Sequence, residues 1–236
     1  RRTALRSGAL AAALGAVALM IGGVVATPVD ASSPPDDDPI LVGSTPTTLP
    51  ELPVPEPPPA DNDPEPQTYW GRLIIPAIEL DRPLLEGIRL STFDTGPGHW
   101  PGTAMPGELG NVVVGGHRTS HNADFYRLNE LVAGDQVFFD LDDAEGTPTA
   151  TVPVDDPYSG VYTYEVAAVF RVAPDAMWIV GQNYRHEATF FACHPLGSTA
   201  ERIVVQMDLV AVDGEPLDVE DPPRPPVTAT TLLEDA

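Results

Sequence analysis

The segment ATFFACHPLGSTAERIVVQMDLVAV, residues 188–212, holds two apolar, β-prone runs separated by a turn-forming loop. The first run ends on Cys193, the single cysteine of the chain, and the second starts at Arg202. Between them Pro195, Gly197, Ser198 and Thr199 favour a reversal of direction. Paired as a hairpin, the two runs set Cys193 opposite Arg202 at one rim. Working outward, β-prone runs recur as RLIIPAI (72–78), NVVVGG (111–116), GDQVFFDL (134–141) and YTYEVAAVFRV (162–172). The proline in the first marks an edge or bent strand, and paired glycines end the second. Only ADFYRLNEL (123–131) repeats its apolar residues, Phe125, Leu128 and Leu131, at helical spacing. Short strands at fairly even spacing with so little helix predict a mainly β domain, a closed or nearly closed antiparallel barrel.

The flanks differ in composition. The 236 residues carry 35 Asp and Glu against 12 basic residues, all Arg, for a net charge of −23. Within residues 68–213 the balance is 20 acidic side chains to eight Arg. That excludes nucleic acid as a partner, because phosphate backbones require clustered positive charge. A lone cysteine forms no intramolecular disulfide. Near the start, Arg1, Arg2 and Arg6 precede ALAAALGAVALMIGGVVA (9–26). As a helix this apolar stretch would extend about 27 Å, enough for a bilayer core. The Arg cluster predicts a cytoplasmic N-terminal side, and the length favours a retained anchor over a cleaved signal peptide. Residues 1–29 are therefore read as an anchor or signal peptide, and both export the domain beyond them. The Pro-rich acidic segment 30–67 reads as a disordered spacer and 214–236 as a disordered tail. The folded domain is expected over 68–213.

A thiol at a strand end beside a guanidinium is placed for chemistry. Positive charge favours the thiolate and any oxyanion formed when it attacks a carbonyl. His117 closes VVVGGH, whose glycines admit close approach to the backbone. Cys193, His117 and Arg202 at the ends of separate strands would make a thiol acyl-transfer site. The alternative is a buried Cys193 with a packing role alone. His121 follows His117 by four, the spacing of a zinc pair on a helix. No Glu follows His117, however, and the stretch leaves a strand through a polar loop, so no metal site is expected. Neighbours along a strand alternate, so His194 should point away from Cys193, and Arg118 away from His117. His99 and His186 show no partner, and DLDDAEG (140–146) reads as a solvated acidic turn without the spacing of an EF-hand loop.

Four stretches resemble the sortase family, and within it the class E group of high-GC Gram-positive bacteria. They are GPGHWPGTAMPGELGN (96–111), VVVGGHRTSHNADFYRLNELVAGD (112–135), TFFACHP (189–195) and STAERIVVQ (198–206). The resemblance covers most of 68–213 and implies a sortase catalytic domain, a closed eight-stranded β-barrel with one or two short helices. It implies Cys193 as nucleophile, His117 as general acid and base, and Arg202 as stabiliser of the substrate carbonyl or oxyanion, with no cofactor and no metal. Such a cysteine transpeptidase cuts an LAxTG or LPxTG sorting signal between Thr and Gly, and an amine then resolves the thioacyl enzyme. The implied partners are sorting-signal-bearing surface proteins or pilins, and a peptidoglycan precursor or other amine acceptor. The implied location is the cell membrane, single-pass, with the domain outside. Two residues depart from the family's T-L-x-T-C signature: Ala192 stands in place of Thr and Phe190 in place of Leu. They imply altered contacts in the substrate subsites. A degenerate homologue, a hydrolase using water and a tethered β-barrel binding module share the same sequence features. An L,D-transpeptidase does not fit, since its motif needs His and Arg where Phe191 and Pro195 stand.

Overall fold

The computed structural model describes residues 49–142 and 158–226. The apolar stretch 9–26 and most of the acidic turn 140–146 lie outside the described residues. Among the described residues no helix is long and apolar enough to cross a membrane.

One sheet carries β1 (Tyr69–Ile75), β2 (Leu80–Glu86), β3 (Gly98–His99), β4 (Gly110–Gly115), β5 (Gln136–Asp140), β6 (Val161–Val172), β7 (His186–His194), β8 (Glu201–Val212) and β9 (Glu215–Pro216). Its order is β6-β5-β1-β2-β3-β4-β7-β8-β9, and a further β6–β8 pairing closes the first eight into a ring. The expected closed eight-stranded barrel is therefore present. It is not purely antiparallel: β2 runs parallel to β3, and β4 parallel to β7. The helix expected over 123–131 shrinks to a 3-10 turn at Leu128–Glu130, while a four-residue helix α1 forms at Leu90–Phe93. Phe125, Leu128 and Leu131 are buried as their spacing suggested. Ala123, however, sits at φ 50, and the Phe125 amide donates to the His117 carbonyl at 3.0 Å, so no helical ladder can form.

Alternation along the central strands sorts side chains into two cores. Val112 and Val114 of β4, Phe190 and Ala192 of β7, and Ile203 and Val205 of β8 fill the barrel with Phe125 and Phe139. Phe190 stacks on Phe125 at 5.4 Å between ring centres and meets Phe139 edge-on at 5.8 Å. Val113 and Val204 face outward and join Trp100, Val172, Ile179 and Val180 beneath the 3-10 turn at Met177–Val180. Covered on both faces, β4 has no polar alternation to show, which explains its unbroken valine run.

Residues 49–67 and 214–226 read from composition as disordered, yet both lie against the barrel. The Glu56 amide donates to the Pro101 carbonyl and the Trp100 indole donates to the Glu56 carbonyl, each at 2.8 Å. Downstream, β9 pairs with β8, Asp221 meets His186 at 2.9 Å, and Arg224 reaches Glu187 at 2.8 Å and Asp208 at 2.5 Å. Proline-stiffened chain has little conformational entropy left to lose, so a few such contacts suffice to seat it.

Candidate active site

Three adjacent strands build the site. In the parallel β4–β7 pair Gly115 lies opposite Phe191, and His117 follows two residues beyond the end of β4. In the antiparallel β7–β8 pair Cys193 lies opposite Arg202. Neighbouring strands are about 4.8 Å apart, so the thiol has an arginine beside it on β8. All three side chains border one cleft of about 350 Å³, with Leu90, Phe93 and Phe191 as apolar wall. Cys193 itself is half-buried and unpaired in any disulfide. Ala192, buried in the barrel core, also borders the cleft, so it separates the two volumes where the family signature carries a hydroxyl.

The glycines ahead of His117 have a steric purpose. A Cβ on Gly115 would lie 2.6 Å from the rings of both Phe93 and Phe191, and one on Gly116 would lie 2.8 Å from Phe125. Real Cβ atoms do not approach so closely, and so only glycine lets these rings pack against the backbone that carries His117. The His117 ring meets Phe93 edge-on at 5.8 Å. Its Nε2–H donates to Asp94 Oδ1 at 2.9 Å. With a proton held on Nε2, the ring's lone pair is on Nδ1.

Arg202 is held without being neutralised. Its Nη1 donates to the carbonyls of Thr199 and Glu201, both at 3.0 Å, and among the described residues no carboxylate pairs with it. Its charge therefore remains available to a substrate oxygen. Arg118, only 3% exposed, does a different job. Its Nη1 donates to the Cys193 carbonyl at 3.3 Å and to His194 Nδ1 at 2.7 Å, and its Nη2 donates to Asn129 Oδ1 at 2.6 Å. Strand alternation predicted that His117 and Arg118 would face opposite ways, but β4 stops at Gly115 and both border the cleft. Burial, and then the Arg118 charge, hold His194 below the ordinary imidazole range, which suits a neutral ring accepting from Arg118.

The remaining histidines find partners that sequence did not reveal. His99 is buried between Glu86, at 2.8 Å, and the Ala104 carbonyl, at 3.0 Å, and His186 pairs with Asp221. Asp94 carried no signal in the sequence. It ends α1, and it binds two histidines: His121 Nδ1 also lies 2.8 Å from its Oδ1. The four-residue spacing of the histidines pointed to such a pair, but only for a helix.

A half-buried thiol sharing one cleft with an imidazole and an uncompensated guanidinium is the arrangement of a thiol acyl-transfer centre. The chain belongs to the sortase family, whose Sortase domain matches residues 73–210. It is similar to sortase D of Bacillus subtilis (strain 168), with 28% identity over 146 residues, 60% of this chain and 64% of that protein. The chain thus spans a little under two thirds of that relative's length. Sortase C-1 from Actinomyces oris is similar at 25% identity and a TM-score of 0.50, covering 63% of this chain and 76% of that one. A lid mutant of sortase A from Corynebacterium diphtheriae shares the fold, with a TM-score of 0.53 and 22% identity over 64% of this chain and 74% of that one.

Proposed function

We propose that the protein is a class E cysteine transpeptidase that cuts an LAxTG or LPxTG sorting signal between Thr and Gly and passes the acyl group to an amine. The observation that carries this reading is the register that sets Cys193 opposite Arg202, in a cleft that His117 also borders. The thiol proton passes to His117, and the sulfur attacks the threonine carbonyl carbon, forming a C–S bond and an oxyanion that faces Arg202. Collapse breaks the Thr–Gly C–N bond, and His117 returns its proton to the departing amine. An incoming amine then attacks the thioester, loses a proton to His117, and expels the thiolate. The apolar wall of Leu90, Phe93 and Phe191 suits the leucine of such a signal.

The class E assignment rests on the four stretches at 96–111, 112–135, 189–195 and 198–206. Surface proteins or pilins bearing the signal would be the acyl donors, and a peptidoglycan precursor or a pilin amine the acceptor. The Arg-flanked apolar stretch 9–26 supports a single-pass anchor with the domain on the outer face. The test is mass spectrometry after incubation with LAxTG and LPxTG peptides plus a glycine or diaminopimelate amine. A thioacyl adduct that disappears in Cys193→Ala is expected. No adduct, where a known sortase labels under the same conditions, overturns the reading.

A further inference from the structure

We propose that Asp94, His117 and His121 form a binding site for a divalent transition-metal ion, Zn²⁺ above all, at the edge of the cleft, and that its occupation silences His117. The second half of the statement rests on the transpeptidase reading; the first does not. The His117 and His121 rings are stacked at 5.4 Å with only 18° between their planes, so they present nitrogens side by side. Both nitrogens already converge on one carboxylate oxygen, at 2.9 and 2.8 Å. The three ligand atoms lie within 4.8 Å of one another. A tetrahedral ion with bonds of roughly 2.0–2.2 Å needs ligand separations of about 3.3 Å, so each nitrogen–oxygen contact must open by about 0.5 Å. Two imidazoles and a carboxylate select zinc, cobalt, nickel or copper over calcium and magnesium.

The surroundings also admit a cation. His121 is more than half exposed, which gives the ion a route in and leaves a fourth position for water. The pattern of residues 117–121 argued against a histidine pair because the stretch is no helix. The loop achieves the same juxtaposition by another route: His121 adopts φ 50 and folds back over His117, and the end of α1 supplies the third ligand.

Binding would need no redox partner. The proton on His117 Nε2 moves to Nδ1, freeing the Nε2 lone pair for the ion, and His121 shifts its proton from Nδ1 to Nε2. With Nδ1 protonated, His117 can no longer accept the thiol proton. The ion and the acid–base cycle are therefore mutually exclusive, and zinc acts as an off-state.

The test uses the full chain as Cys193→Ala, so that no thiolate can hold the ion. It is titrated with Zn²⁺ by calorimetry and with Co²⁺ by its visible absorption bands. A site that includes Asp94 and His121 should weaken at least about 10-fold in Cys193→Ala/His121→Ala and in Cys193→Ala/Asp94→Asn. With Cys193 intact, Zn²⁺ should block the thioacyl adduct reversibly on adding EDTA. In His121→Ala the inhibitory concentration, measured against that variant's own metal-free rate, should rise at least about 10-fold. No binding, or binding undiminished in the two variants, overturns the site; unchanged inhibition in His121→Ala overturns the off-state. If no adduct forms even without metal, the transpeptidase reading fails while the titration still decides the site.

Discussion

Cys193 and Arg202 are a register pair across β7 and β8. Such partners leave the sheet on the same side, so Arg202 stays beside the thiol without any loop having to close. Replacing it with Ala should lower kcat/KM on a fluorogenic sorting-signal peptide by roughly 10²–10³, the usual cost of losing an oxyanion donor. Arg202→Lys keeps the charge but not the planar fork, and its rate should fall between the two. An Arg202→Ala rate within 3-fold of the parent would assign the oxyanion to another group.

Asp94 holds the His117 tautomer through Nε2, which makes it a positioning residue. Asp94→Asn can donate to the ring as well as accept, so it permits the wrong tautomer. The expected loss is roughly 10- to 10²-fold in single-turnover acylation, less than the 10²–10⁴ contributed by a positioned acid–base group itself. The thermal midpoint should barely move, which separates this effect from unfolding.

Gly116→Ala inserts a methyl group against Phe125, which is fully buried in the barrel. Overpacking of this kind costs about 1–3 kcal/mol. The midpoint of thermal unfolding should drop by several degrees, at roughly 2–4 °C per kcal/mol for a domain of this size. Because the strain falls next to His117, acylation should slow in the same variant at temperatures where it remains folded.

His194 gives the stability a pH dependence of known sign. Burial and Arg118, with Arg171 adding and Glu201 opposing, hold its folded-state pKa below the ordinary imidazole value. As pH falls through about 6.5 the unfolded chain takes up a proton that the fold still refuses. The unfolded state then binds more protons, and stability declines until the folded ring is protonated too. Urea unfolding at pH 7.5 and 5.5 should show a larger loss for the parent than for His194→Gln. Equal losses would mean that His194 titrates alike in both states.

Much of the barrel was legible because β-branched runs and turn residues mark strand existence well. The six runs read from sequence all appear as strands, while β2 and β3 were missed for physical reasons. LDRPLLE breaks its apolar pattern with Asp81, Arg82 and Pro83, and a two-residue strand such as Gly98–His99 has no pattern to read. Strand direction is a property of long connections, so the parallel β4–β7 pair lay beyond local reading. In the site, Cys193, His117 and Arg202 carried signals because each ends or opens a strand beside turn residues. Asp94 carried none and the partners of Arg118 could not be read, since both act through loops whose course is set by tertiary contacts.

The parallel pairing of β4 with β7 has a consequence for when reactivity begins. Parallel neighbours cannot be joined by a tight turn, and the chain between them runs through β5 and β6 before returning. Cys193 and His117 therefore come together only after a loop of about seventy residues has been closed, at the entropic cost that slows such topologies. A chain that has made the β7–β8 hairpin but not the β4–β7 pairing holds Cys193 beside Arg202 without His117 in the same cleft. Under the proposed mechanism, barrel closure therefore sets the moment at which Cys193 gains its proton acceptor.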